Sequence, residues 1–412
     1  MREVFIVGIG MTPFGRHLEK SCADLAREAV SEALQDAGAQ TSDIGIVFYA
    51  NTAQAAIEGQ MGVKAQHALR PMGFGGVPMI NMEDACSGSA VALNLAIGQV
   101  ASGAVDVALA VGAEKLNTKD QARRQAAFGQ PEDVAGVQRF VDQYMPAAEA
   151  MPIPPEVVID PAIRSIFMDA YAINARLHMK KYGTTWQQIA LVSSKNHGHS
   201  TMNPNAQFQK AMSVEEILAG KVISWPLTMA MCSPISDGAA ATVVCSAEAL
   251  ERFAGKRAVK VLASVIRGGA DRELDDVRHA AVHLATLEAY ETAGISPSDV
   301  SVAEVHDASA YAEIAHTEYL GFCDFGQGGA LAESGATTLG GRIPVNVSGG
   351  LQSRGHPVAA TGLAQIHELV TQLRHEAGAR QVKDARLAIA SNGGGFIGVE
   401  DAICCVTILG AK

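Results

Sequence analysis

Hydrophobic and polar positions follow an order along this chain that occurs twice. Leu25 to Asn51 reads as an amphipathic helix stopped at Gly38, a short helical restart ending in Ser-Asp, and an apolar strand, IVFYAN. Ala281 to Asp307 repeats that order, with Gly38 matched by Gly294 and Asp43 by Asp299, each 256 positions further on. A second pair of segments, Asn81 to Ala113 and Asn346 to Gly394, predicts strand, tight small-residue turn, long Ala/Leu/Ile helix and closing apolar strand in both copies. Nearly continuous apolar runs such as IVFYAN, DVALAVGA and RLAIASNGG are those of strands covered on both faces. The pattern predicts a duplicated α/β layer fold, with mixed sheets under helices.

Between the copies, residues 115–235 hold nine of the 15 prolines and carry twelve basic against ten acidic residues, in a chain of net charge −11. This stretch reads as an inserted lobe, the electropositive part of an acidic protein, and is suited to steering a polyanionic ligand. The acidic total argues against a general nucleic-acid binder. With 412 residues, 48% hydrophobic and 18% charged, the chain has length for two or three domains and is not that of a disordered protein. The most apolar stretch, Val91 to Ala113, is interrupted by Asn94, Gln99, Ser102 and Asp106, so no membrane partner is expected. The opening MREVFIVGIG reads as a strand rather than a leader, which predicts a cytoplasmic protein. Seven cysteines without C-x-x-C spacing predict reduced thiols, with neither disulfides nor a metal site.

Five positions carry candidate chemistry. Cys86, in DACSGS, precedes a predicted helix from Ala90 to Val100, where unpaired backbone donors and the positive dipole end favour a thiolate; Asp84 opposes it. His356 stands at the counterpart turn of the second copy, on an elbow formed by Gly355 and Pro357, where an imidazole can take a proton from a thiol. If the copies are related by a pseudo-twofold axis, Cys86 and His356 converge on one cleft. His306 ends a strand of the second copy, the position where ligands gather in α/β folds. Asn392 and Gly394 lie in a Gly-rich strand end whose backbone N–H groups can approach an oxyanion. Gly8-Ile-Gly10 lacks the third Gly of a dinucleotide fingerprint. His279 and His283 read as a solvated helix face, His197 and His199 as a loop, and Cys404 and Cys405 as core.

Taken together, DACSGS around Cys86, the segment from Ser233 to Ala241, the His306-Asp307 pair and SGGLQSRGHPVAATG around His356 resemble the thiolase superfamily, in particular thiolases of the sterol-carrier-protein type. The resemblance covers the whole chain. It implies a five-layer αβαβα fold, with 1–117 and 234–250 as the N-terminal half, 118–233 as an inserted loop domain that binds coenzyme A, and 251–412 as the C-terminal half. It implies an acyl-CoA C-acyltransferase that cleaves or forms a 3-oxoacyl-CoA, with coenzyme A as co-substrate and no tightly bound cofactor. Cys86 is then the acylated nucleophile, His356 its base and His306 an oxyanion-hole donor, while Gly394 and the Cys86 N–H form a second oxyanion hole. A homodimer or dimer of dimers, paired across the strand Val77 to Met82, is expected on the same ground.

The second thiol of the family's Cys-x-Gly or His-Asp-Cys-Phe motif is replaced here by Asn392 and Ala308, with Ser309 in place of Phe. The small Ala308 and Ser309 predict room for a bulky, branched or aromatic acyl group. Three other readings fit the same residues. They are a decarboxylating ketoacyl-synthase-like enzyme with a Cys-His-His set, a retro-aldolase partnered by a small zinc-ribbon/OB-fold accessory protein, and a non-catalytic acyl-CoA-binding subunit.

Overall fold

The computed structural model describes residues 2–412 other than 121, 124–126, 128–133, 156, 160–162 and 254–256. Pro131 and Pro161 of the expected insert therefore lie outside the described residues. Nine strands make one sheet: β1 (Val4–Met11), β2 (Ile46–Ala50), β3 (Met79–Met82), β4 (Val107–Glu114), β5 (Gly238–Ser246), β6 (Val259–Gly268), β7 (Val302–Val305), β8 (Leu387–Gly394) and β9 (Ile403–Ala411). Their order is β3-β2-β4-β5-β1-β6-β9-β8-β7. The order is symmetric about the β1–β6 junction, where only Phe5–Lys260 and Ile6–Val259 pair. Each half thus has its own sheet, and the two meet edge to edge.

Helices complete five layers. On one outer face α1 (Cys22–Ala37) covers the first half-sheet, its apolar stripe packed on Val7, Val47, Leu109 and Val243. On the opposite face the helix Ala281–Ala293 covers the second half-sheet through Ala285, Ala289 and Tyr290. Between the half-sheets run two helices, Gly88–Ala101 and Thr361–Leu373, whose Leu93, Ala96, Leu363 and Leu369 are fully buried with residues of both sheets. The repeated sequence is a repeated structure: Gly38 and Gly294 both cap their helices at φ 67°, the left-handed conformation that favours glycine. Each Ser-Asp restart is a single 3₁₀ turn, Thr41–Asp43 and Pro297–Asp299.

The copies differ at one strand. The counterpart of β3 is reduced to a single bridge between Ala303 and Val345. Asn346 takes φ 54° directly afterwards, and a left-handed residue cannot continue a ladder. Between β4 and β5 the chain forms helices Val134–Glu149, Ile166–Tyr182 and Trp186–Ser200. They pack on the second half through Ala310 and Ile314 and through Phe140 against Phe396, whose rings lie 5.0 Å apart. His197 and His199, expected in a loop, lie buried on the last of these helices, because Thr185 caps it and its face packs on the Ala310–Tyr319 helix. His279 and His283 share no helix face: the first stands in the turn Val277–His279 and the second in the helix that follows. Among the described residues no helix is long and apolar enough to cross a membrane.

The buried central helices make a stability prediction. Leu369→Ala, at a fully buried position, should cost about 2–5 kcal/mol in chemical denaturation, whereas Leu287→Ala on the outer helix, 51% exposed, should cost less than about 0.5 kcal/mol. Equal costs would contradict the layer assignment.

Candidate active site

Cys86 sits in the turn Ala85–Ser87 between β3 and the central helix Gly88–Ala101. Ala85 adopts φ 46°, a conformation unfavourable for a residue with a Cβ. The turn is held by the Ala85 N–H donating to Glu83 Oε1 at 2.7 Å and by Ser87 Oγ donating to the Asn392 carbonyl at 3.3 Å. The end of β8 presses directly on it: a Cβ at Gly394 would come within 2.5 Å of the Asp84 oxygen and the Ser87 nitrogen. Only glycine permits that approach. Burial, then Glu83, push the Asp84 carboxyl up toward its neutral form.

His356 is fixed from both ends. Gly355 turns at φ 112°, and the His356 N–H donates to Ser236 Oγ at 2.9 Å while Ile235 bridges its backbone. Thr361 Oγ1 donates to the Pro357 carbonyl at 3.1 Å and stands 2.6 Å from His356 Nδ1. Its hydrogen is thereby committed, so it accepts from Nδ1–H and leaves the Nε2 lone pair facing Cys86 Sγ at 3.3 Å. Burial, and then Arg354, push the His356 pKa down to about 3. A neutral imidazole facing a thiol is a proton acceptor.

His306, after β7, is buried with its Nδ1 3.0 Å from Asn392 Nδ2. Accepting that bond directs an Nε2–H toward the site. Burial, then His356, His316 and Arg354, hold its pKa well below the usual value. The His306 and His356 rings meet edge to face at 5.3 Å, and the ligand atoms of Cys86, His306 and His356 all lie within 4.8 Å of one another.

The expected site residues divide as follows. Cys86, His306, His356 and Gly394 all line one cavity of about 1130 Å³. Asn392 does not reach the cavity; it stands behind His306, 1% exposed. Ala308 forms cavity wall, but Ser309 does not: its hydroxyl accepts from the Ala312 N–H and caps the helix Ala310–Tyr319. Asp307 turns away, accepting from the Leu351 N–H at 2.7 Å, Gln352 at 2.8 Å and Asn196 at 3.0 Å. Sequence reasoning missed Thr361 and Ser236. Both lie inside the segments singled out around His356 and from Ser233 to Ala241, but nothing in a linear sequence shows which hydroxyl meets which ring.

Comparison with known proteins gives a consistent set of likenesses. Residues 4–221 match the model of the thiolase N-terminal domain and 263–408 that of the thiolase C-terminal domain-like family. The chain is 35% identical over 402 residues to an acetyl-CoA acetyltransferase of Methanothermobacter thermautotrophicus, covering 96% of this chain and 97% of the relative. It is 34% identical to human sterol carrier protein 2, covering 95% and 70%. It is 33% identical to the benzoylsuccinyl-CoA thiolase subunit BbsB of Thauera aromatica, covering 96% and 95%. The fold is shared with an Ltp2-ChsH2(DUF35) aldolase at TM-score 0.77 and 24% identity, covering 99% and 98%, and with human mitochondrial 3-ketoacyl-CoA thiolase at TM-score 0.68 and 17% identity, covering 100% and 99%.

The geometry predicts how the thiol is activated. His356→Ala should slow acyl transfer to Cys86 by about 10²–10⁴, and Thr361→Val, which removes only the acceptor behind the ring, by about tenfold. With His356 neutral down to about pH 3, the rate between pH 5 and 8 should show no break near 6.5. A break there would identify an ordinary solvated imidazole instead.

Proposed function

The chain belongs to the thiolase family of acyl-CoA C-acyltransferases, and we propose that it cleaves or forms a 3-oxoacyl-CoA through an acyl-Cys86 intermediate. The observation that carries this reading is the meeting of Cys86, His356 and His306 within 4.8 Å at the wall of one large cavity. Cys86 Sγ attacks the 3-oxo carbonyl as His356 Nε2 takes the thiol proton; the S–C3 bond forms, the C2–C3 bond breaks, and its electron pair leaves as the thioester enolate. His306 Nε2–H donates to the thioester oxygen, and the N–H groups at Gly394 and Cys86 receive the second oxyanion. Coenzyme A, as co-substrate, accepts the acyl group.

The acyl group is bulky and aromatic or branched. The cavity of about 1130 Å³ is lined by Phe167, Tyr171, Tyr182, Tyr311, Tyr319 and Phe396, more volume and aromatic surface than an acetyl group needs. Ala308 alone, not Ser309, supplies the room expected at the family's Cys-Phe positions. The relative named a benzoylsuccinyl-CoA thiolase subunit agrees with this choice. Residues 118–233, between the halves 1–117 with 234–250 and 251–412, act as the coenzyme A-binding insert. Arg164, Lys180 and Lys181 at the cavity wall supply positive charge for phosphates.

The protein works as a homodimer paired across β3, an edge strand whose Ile80 is 45% exposed. A small zinc-ribbon/OB-fold accessory protein is a further partner, supported by the subunit named in one relative and the DUF35 assembly named in one structure. The location is cytoplasmic, in keeping with seven cysteines that all remain thiols.

Incubation with a panel of 3-oxoacyl-CoA thioesters, followed by intact mass, tests the reading. Wild type should gain an acyl group and prefer aromatic thioesters to acetoacetyl-CoA, whereas Cys86→Ser should gain none. Turnover by Cys86→Ser would remove the covalent intermediate. Light scattering should give twice the 43.0 kDa protomer mass; a particle of the protomer mass at micromolar concentration would refute pairing across β3.

A further inference from the structure

His306 and Asn392 form a buried pair that the acyl transfer to Cys86 does not by itself require. The two side chains are 4% and 1% exposed and meet at 3.0 Å. With Asn392 Nδ2 donating to His306 Nδ1, the Asn392 Oδ1 is buried without a hydrogen-bond partner. A half-turn of the amide exchanges the two atoms, and Oδ1 then accepts from Nδ1–H. A carboxamide can therefore support either neutral tautomer of the same imidazole, whereas a carboxylate can only accept and an ammonium can only donate.

Chemistry at the α-carbon of an acyl-CoA needs a group that takes and returns a proton, and no thiol stands at Ala308 or Asn392 to do so. The cavity wall holds one thiol besides Cys86, that of Cys232, and it donates to the Thr228 carbonyl at 3.4 Å. His306 lines the same cavity beside Cys86 and His356.

We propose that Asn392 is the positioning residue that lets His306 serve both as oxyanion donor and as the acid/base at the substrate α-carbon. The proposal rests on the thiolase-type reading above. With Nδ2 donating, His306 presents Nε2–H to a thioester oxygen. With Oδ1 accepting Nδ1–H, it presents the Nε2 lone pair instead. That lone pair takes a proton from the α-carbon: the Nε2–H bond forms, the Cα–H bond breaks, and its electron pair becomes the thioester enolate. The imidazolium keeps Nδ1–H on Oδ1, and its new Nε2–H faces the enolate as a charged donor. The reverse step returns this Nε2 proton from the imidazolium to the α-carbon: the Cα–H bond re-forms from the enolate electron pair and His306 is again neutral. The two neutral forms equilibrate by proton exchange with water while the site is empty.

The charged or titratable groups that act on His306 are His356, His316 and Arg354, all of which disfavour the imidazolium. The imidazolium is thus disfavoured, and return of its proton is favoured.

The test compares wild type, Asn392→Leu and Asn392→Asp in two assays: exchange of the α-protons of acetyl-CoA into deuterated water, and acylation of Cys86 followed by intact mass. Asn392→Leu should lose exchange by about 10²–10⁴ while acylation falls less than about tenfold. Asn392→Asp, which only accepts, should keep exchange within about tenfold of wild type at pH 8 and lose it as the pH falls through 7, because the carboxylate raises the proton affinity of His306; wild type should show no such fall. Exchange that survives in Asn392→Leu overturns the proposal. So do exchange and acylation falling in parallel in both variants, the mark of a merely structural role. A wild type that acylates Cys86 without any exchange overturns it while leaving the acyl-enzyme reading intact. A wild type that does neither overturns both.

Discussion

The site exists because the two halves touch with no clearance at their central helices. A Cβ on Gly112, at the end of β4, would stand 2.3 Å from the Ala359 oxygen and 2.6 Å from Ser89 Cβ; one on Gly362 would stand 2.6 Å from the Ala90 nitrogen. These contacts join the start of the helix that follows Cys86 to the start of the helix that follows His356. Two hydrogen bonds cross the same seam, Leu363 N–H to Ser89 Oγ at 3.1 Å and Ala359 N–H to Glu114 Oε2 at 3.2 Å. Close-packed interiors transmit small displacements, so a larger side chain at either glycine would move thiol and imidazole apart, although both residues lie outside the chemistry.

Burial around that seam decides the protonation states. His306 and His356 are kept neutral chiefly by desolvation, not by a carboxylate partner. The carboxylates nearby are turned to structural use. Glu114, its pKa raised by burial to about 7, accepts from the N–H groups of Thr52, Ala53 and Ala359. Glu304 pairs with the buried Arg354 at 3.2 Å, and Asp307, pushed up by burial and Glu313, holds the start of the Gly350–Arg354 helix. The loops that carry His306 and His356 are thus anchored by Glu114, Glu304 and Asp307, none of which lines the cavity.

The glycines and the apolar strands made much of this legible in the sequence. Gly38 and Gly294 marked the repeat, and the repeat placed Cys86 and His356 at equivalent turns 270 positions apart. What stayed hidden was pairing between side chains on different strand ends. Asn392 and His306, 86 positions apart, meet only once β7 and β8 lie side by side, so Asn392 read as an empty place in a motif and not as the partner of a ring. Ser309 read as pocket wall because a small residue stands there in place of the family's Phe, but its hydroxyl caps a helix. Asn346 was to start a strand, but its backbone is left-handed, a conformation its residue type permits but does not require.

Burial holds the two imidazoles neutral, and their partners behind the rings set opposite tautomers. Nitrogen-15 NMR of the histidine rings in the unliganded protein at pH 7 tests this most directly. Two neutral rings are expected, with His356 protonated at Nδ1 against Thr361 and His306 with a substantial Nε2-protonated population against Asn392. Two imidazolium signals, or His356 protonated at Nε2, would contradict it.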